Sequence, residues 1–221
     1  MENGLLKHSE LVFADVETTG VGAEDRVVSI GLVKISAASV QTGSLEAEWM
    51  HLVFDPGRDN HPRAEQIHGF SNWALWHQDA FNDHAETIWQ FLNETPVVVG
   101  HNVSFDAKFI SRELSASGFP PIGSSLFCTL AAYRRRGVTR SASLDTACSQ
   151  IGLTRVGHTH GALEDAWLAM SVFLWLHDCP YRFRFPEAMH GDPTNMKPVP
   201  SRPLRSSLAR PHGKVADLIR A

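Results

Sequence analysis

The chain has 221 residues, 43% of them hydrophobic, and a formal net charge of −4. That supports one well-filled domain with room for an appendage; it excludes a strongly basic nucleic-acid coat but not a nucleic-acid substrate held in a local groove. Three cysteines (Cys128, Cys148, Cys179) make no paired-disulfide or metal-ligand spacing, no stretch nears the roughly 20 apolar residues of a membrane span, and "MENGLLKHSELVF" lacks a signal-peptide pattern. A cytoplasmic protein with no membrane contact is expected.

Between residues 11 and 177 strand and helix patterns alternate. "LVFADV" reads as a short buried strand, "RVVSIGLVKIS" as a second, and "SLEAEWMHLVFDP" as a third ending at Pro56. Their short connections predict an antiparallel meander. "NHPRAEQIHGF" predicts a short helix entered through Pro62, and "FNDHAETIWQFLNE" an amphipathic helix with Phe81, Ala85, Ile88, Trp89 and Leu92 on one face. "PVVVGHN" follows as a buried strand, and "SFDAKFISRELSASG" as a helix capped by Ser104 and closed near Gly118. "SLFCTLAAYRRR" runs from a last short strand into a helix, and "SASLDTACSQIG" and "GALEDAWLAMSVFLWLH" supply two more. The order predicts an α/β fold, a mixed sheet covered by helices.

Beyond about Pro180 the composition changes. Residues 181–221 hold six of the 12 prolines and eight Lys/Arg against three Asp/Glu, which leaves 12 against 21 in the first 180. The chain therefore divides into a domain over 1–180 and a basic, Pro-rich tail over 181–221, extended or partner-docking. "KVADLIRA" at its end suits a short amphipathic helix.

Three polar groups interrupt apolar segments. Asp15 and Glu17 are i and i+2 of a strand, so they project to one face and repel unless a cation lies between them. A turn-capping Asp beside a solvated Glu accounts for the same pair. Asp106 falls in the first turn of a helix after "VVV", beside His101 and Asn102, where a helix-dipole role is the plain alternative. In "HTHGALEDAWLA", Asp165 lies in an apolar helix among Ala162, Ala166 and Ala169, five residues after His160. An acid on a packed face needs a metal or a base. Four carboxylates without cysteine pairs select Mg²⁺ or Mn²⁺, and suit two ions about 3.5–4 Å apart. His160 is then placed to take a proton from an attacking water.

"FADVETTG", "VGHNVSFDAKF" and "HTHGALEDA" resemble the three motifs of the DEDDh branch of the DEDD 3′–5′ exonucleases, which includes proofreading subunits of bacterial replicative polymerases. "EQIHGFS", "FCTLAAYRR" and "SLDTACSQIGL" match lesser landmarks, and the similarity spans residues 9–177 in order. Cys128 departs from the Asp that relatives commonly carry before "TL". The resemblance implies a ribonuclease-H-like fold, a five-stranded mixed sheet flanked by helices. It implies that Asp15, Glu17, Asp106 and Asp165 ligate two divalent cations, Mg or Mn, with Asp15 bridging, and that His160 is the general base. The backbone at Thr18, Thr19 and Gly20 would hold the 3′-terminal nucleotide, Val21 would wedge against its base, and His68, Asn102 and Phe105 would line the pocket.

The expected activity is metal-dependent 3′–5′ hydrolysis of single-stranded DNA ends, for proofreading, repair or end-trimming, releasing nucleoside 5′-monophosphates. An RNA trimmer and a non-catalytic nucleic-acid-binding scaffold subunit are the alternatives. Lys108, Arg112, Arg134, Arg135, Arg136 and Arg140 are candidates to hold phosphates, and Trp73 and Trp76 to stack bases or merely to pack on each other. The tail has the composition to dock a larger nucleic-acid-processing complex.

Overall fold

The computed structural model describes residues 10–93, 95–137, 141–156 and 159–202. In chain order the elements are β1 (Glu10–Thr18), β2 (Val27–Ser36), α1 (Ala37–Gln41), β3 (Ala47–Val53), α2 (Pro62–His68), α3 (Asn72–Leu75), α4 (Ala85–Asn93) and β4 (Val97–Gly100). There follow α5 (Val103–Ala116), β5 (Ser125–Cys128), α6 (Thr129–Arg135), α7 (Leu144–Gln150) and α8 (Ala162–Leu176). One five-stranded sheet has the order β3-β2-β1-β4-β5. The first three strands form the expected antiparallel meander, while β1–β4 and β4–β5 are parallel. The sheet is mixed, as expected.

β1 is central, and its run of apolar residues reflects cover on both faces. Val12, Ala14 and Val16 pack with Ile88 and Leu92 of α4 and with Phe109 and Ile110 of α5. Leu11 and Phe13 point the other way, onto Leu163, Trp167, Met170 and Phe173 of α8. Every residue of α8 from Ala162 to Leu174 is buried, which its all-round apolar sequence requires.

Several local expectations change. The cap of α5 is Asn102, not Ser104: Asn102 takes the left-handed conformation (φ 83°) and turns the chain from β4 straight into the helix. Asparagine tolerates that region better than most side chains. The segment from Phe81 splits into a 3-10 turn (Phe81–Asp83) and α4, because the Asp83 carboxylate folds back onto the Ala80 amide. The short helices α1 and α3 have no clear periodicity in the sequence, since neither completes two turns.

The compositional change near Pro180 does not end the packing. Residues 181–202 form an extended strap whose Phe183, Phe185 and Met189 close the apolar face under α8. The strap then crosses the open edge of β3. Thr194 N donates to His51 O (2.8 Å), and the Asn195 side chain both accepts from Val53 N and donates to Val53 O (2.8 Å each). An edge strand left bare would invite association, so these bonds partly close it. Lys197 N donates to Gln78 Oε1 (2.7 Å), and Trp73 Nε1 to Pro200 O (2.8 Å). "KVADLIRA" lies outside the described residues. No described helix is long and apolar enough to cross a membrane.

Candidate active site

Asp15 and Glu17 continue the face of β1 that carries Leu11 and Phe13, so they point toward α8. A register shift between Glu17 and Thr18 ends the regular ladder just beyond them. Asp165 comes from the first turn of α8, which Gly161 caps and where Asp165 N bonds Gly161 O (2.9 Å). The helix start comes so near because Gly31 stands opposite Asp15 on β2. A Cβ at Gly31 would lie 2.2 Å from the Ala162 carbonyl carbon, so any larger residue would push α8 off the sheet. Asp106 reaches over from α5, where its Oδ1 accepts a hydrogen bond from Val16 N (3.1 Å). Glu17, Asp106 and Asp165 are buried, and Asp15 is half-buried between them.

These carboxylates strain one another electrostatically. Burial, and then Asp106, Asp165 and Glu17 in turn, raise the Asp15 carboxyl well above the ordinary range. Burial, with Asp165 next, raises Glu17 to about 7. Burial outweighs backbone hydrogen bonds and lifts Asp106 to about 7. Buried like charges of this kind call for a cation. Ligand atoms of Glu17, His160 and Asp165 lie within 4.8 Å of one another. Oxygen-rich donors converging on one point fit a divalent cation.

His160 precedes α8, and its amide donates to Ile67 O (2.8 Å). Its Nδ1 lies 3.0 Å from Asp165 Oδ2. A carboxylate accepts, so Nδ1–H donates and Nε2 keeps its lone pair, on a ring that is 44% exposed. The bond to Asp165 raises the His160 pKa above its usual value.

The sequence profile of the exonuclease family matches residues 12–173. The chain belongs to that family. The polymerase III epsilon subunit of Rickettsia felis is 30% identical over 172 residues, covering 75% of this chain and 72% of that protein. The PolC-type polymerase III of Thermotoga petrophila is 30% identical over 169 residues, 76% of this chain but 12% of that polymerase. Among solved structures, Exonuclease X in complex with 5′-overhanging duplex DNA superposes with a TM-score of 0.59 at 21% identity, covering 77% of this chain and 92% of that one. A zinc-bound E. coli ExoI–ssDNA complex gives 0.63 at 18%, covering 77% and 42%. These structures share the fold. The protein is a hydrolytic 3′–5′ exonuclease.

Sequence reasoning missed Arg155 of this exonuclease. Its buried guanidinium pairs with Asp165 Oδ1 and, at 3.1 Å, with Asp145 Oδ1. Asp145 and Asp165 lie ten residues to either side, so no local motif announces the bridge. His101 stands out in the sequence only as a neighbour of Asp106. Its ring joins Thr129 Oγ1 (3.0 Å) to Ala142 O (2.8 Å), tying the end of β4 to the chain entering α7.

A groove of about 840 Å³ opens beyond the end of β1, walled by Gly20, Val21, Gly22 and Asp25 and by residues from Arg58 to Ile67. Val21 (83% exposed) and Ile67 (41%) both line it. Of the expected cradle, Thr19 is committed inside the fold: its amide bonds Arg26 O (2.9 Å), its carbonyl accepts from His61 N (2.7 Å), and its hydroxyl donates to Asp25 Oδ1 (2.8 Å). Thr18 Oγ1 is turned onto Gly20 O (2.7 Å), and Gly20 lines the groove. The ring of Phe105 packs on Phe109 (centroids 4.7 Å), and Asn102 is exposed at the turn. Buried His68 accepts from Phe70 N at Nδ1 (3.0 Å), which leaves Nε2–H without a partner among the described residues; burial lowers its pKa to about 4 and keeps it neutral.

The phosphate-holding candidates fare unevenly. Arg112 is turned onto the Ala23 and Asp25 carbonyls, bracing the groove wall, and Arg136 onto Leu176 O (2.8 Å) and the Trp175 ring. Lys108, Arg134 and Arg135 are exposed, and Arg140 lies outside the described residues. Trp73 and Trp76 pack edge to face, 6.0 Å apart, with both indole N–H groups bonded within the protein. That arrangement favours packing over base stacking.

Proposed function

We propose that this exonuclease shortens single-stranded DNA from its 3′ end and releases nucleoside 5′-monophosphates. The observation that carries the reading is the cluster of Glu17, His160 and Asp165, with Asp15 and Asp106 electrostatically coupled to its acids. DNA as substrate is supported by relatives named as DNA polymerase III subunits, and by neighbours titled as complexes with DNA. Exposed apolar Val21 and Ile67 suit an unpaired end, whose bases stack on such groups. The subunit names of the relatives also support a place in a larger nucleic-acid-processing complex.

In this reading Asp15, Glu17, Asp106 and Asp165 would hold two divalent cations, Mg²⁺ or Mn²⁺. Such cations, when bound, supply Lewis-acid activation of water and charge neutralisation at the departing oxygen. His160 takes the proton of the attacking water at Nε2 while Asp165 holds its Nδ1–H and stabilises the imidazolium that forms. The attack breaks the terminal P–O3′ bond and leaves the strand one nucleotide shorter. The groove would position the terminal nucleotide, with Gly20 as a close backbone approach and Val21 as the wedge, and His68 Nε2–H behind Ile67 would be a buried donor. Phe105 and Asn102 would contact the same nucleotide from the start of α5.

A panel of 5′-labelled single- and double-stranded DNA and RNA, with Mg²⁺ and Mn²⁺ compared, tests the proposal. A ladder that shortens single-stranded DNA fastest is expected. Faster loss of RNA would reassign the substrate, and no metal-dependent ladder on any substrate would remove the catalytic reading.

A further inference from the structure

Asp165 has both carboxylate oxygens engaged. Its Oδ2 receives His160 Nδ1–H (3.0 Å), and its Oδ1 receives Nη1 of Arg155. Partners on both oxygens fix the plane of the carboxylate, and with it the direction from which the imidazole is held.

The guanidinium is itself placed from three sides. Leu153, two residues before it, belongs to the apolar cluster of Leu168, Ala169 and Val172 on α8. Val156 N, one residue after it, donates to Glu164 Oε1 (2.5 Å), so the backbone on either side of Arg155 is tied to that helix. Its Nη2 donates to Asp145 Oδ1 of α7 (3.1 Å). The Arg155 side chain is 9% exposed, whereas that of Asp145 is 59% exposed. Taking a guanidinium out of water is costly unless it is paired, so the position is a built one. A cation that only balanced the acid cluster would need no exposed carboxylate from another helix. Asp145 holds one nitrogen of the fork toward α7, and the planar fork then directs the other onto Asp165.

We propose that Arg155 is a positioning residue for the hydrolysis: through Asp165 it holds the His160 ring in the tautomer and orientation that turn the Nε2 lone pair to the attacking water. This rests on the nuclease reading. The relay runs Asp145–Arg155–Asp165–His160, from α7 through the segment before α8 to the start of α8. A catalytic base needs a third group to orient it, and that group needs its own support. Lysine at residue 155 would carry the charge but not the fork, since an ammonium has no fixed plane.

The test is a double-mutant cycle of Arg155→Met and His160→Gln, read as kcat and KM on single-stranded DNA with Mn²⁺. Arg155→Met alone should lower kcat about 10- to 100-fold and leave KM in place. In the His160→Gln background the same substitution should cost nothing further, because the group it supports is gone. A full additional loss there would show that Arg155 acts without His160, and would overturn the proposal. Arg155→Lys should recover only part of kcat; complete recovery would make the charge sufficient and overturn the role of the fork. Mn²⁺ binding to Arg155→Met by calorimetry should not weaken, since what is removed is a cation. Weaker binding in step with kcat would assign Arg155 to the metal ligands instead of the base. If Arg155→Met does not fold, Asp145→Asn carries the same cycle with the guanidinium and Asp165 both kept. It should lower kcat a few-fold in the wild type and not at all in His160→Gln, and an equal loss in both would overturn the relay. Nitrogen NMR of the His160 ring, identified by its loss in His160→Gln, reads the contrast in EDTA without turnover. With the ring neutral, the wild type should show the Nδ1–H tautomer and Arg155→Met the Nε2–H form that free histidine prefers; one tautomer in both would overturn the proposal. A wild type that shows this contrast but cuts no strand would sink the nuclease reading and leave the positioning of the ring standing.

Discussion

Glu113 and the Asp15–Glu17–Asp106–Asp165 group are both buried carboxylate sites, yet they are balanced in different ways. Glu113 accepts from Nε and Nη2 of Arg26 (2.6 and 2.5 Å) and from the Val27 amide (3.2 Å), so its charge is fully answered and it pins the β1–β2 connection to α5. The four acids meet one buried guanidinium, that of Arg155, and one half-exposed imidazole. They remain in excess, and the raised carboxyls of Asp15, Glu17 and Asp106 express that excess. Surplus like charge costs stability, so it persists where it binds something. The paired site holds the fold; the unpaired one is the site at which we propose the chemistry takes place.

The sharpest way to break this comparison is to remove one acid from each site. Asp15→Ala or Asp165→Ala should abolish nucleotide release while leaving the circular dichroism of the fold intact; full activity in purified Asp15→Ala would refute the assignment. Next in size, His160→Gln should slow turnover by about 10² to 10⁴-fold, with Mn²⁺ binding by calorimetry retained. Gly31→Ala forces α8 away from β2 and should destabilise by about 3 kcal/mol, lowering Tm by roughly 10 °C; an unchanged Tm would show that the close approach is not required. Glu113→Ala should cost about 2 kcal/mol, since half-exposed Arg26 can be rehydrated, while the folded fraction keeps its activity.

The smallest effect is on pH. Glu17 and Asp106 titrate near 7 in the folded protein, against about 4 when unfolded. Their protonated forms favour the fold, so that stability is complete below about pH 4 and is lost as pH rises through 7. In EDTA, Tm should fall between pH 5 and 8, and saturating Mn²⁺ should flatten the fall. A flat profile in EDTA would mean that the acids are not in excess.

Much of this architecture is legible from residue order. The meander, the five strands and α8 follow from periodicity, because each pattern is the direct record of which faces are covered. Asp15, Glu17, Asp106, His160 and Asp165 stand out because each interrupts an apolar run or borders a helix start. The cap of α5 falls on Asn102 rather than Ser104 because Asn102 uses a left-handed turn, which depends on how tightly β4 must return into α5. Arg155 and Gly31 could not be read, since their meaning lies in the groups that stand opposite them.

Residue order by itself determined the five strands and the longer helices and singled out the acids as candidates, since local periodicity and polarity encode them. The tertiary structure decided the rest: that Asp106 and Asp165 approach β1, that Arg26, Arg112 and Arg155 are bonded within the fold, and that the strap runs from α8 across β3 to α3. Those outcomes depend on contacts between residues far apart in the chain, on whose spacing no local pattern bears.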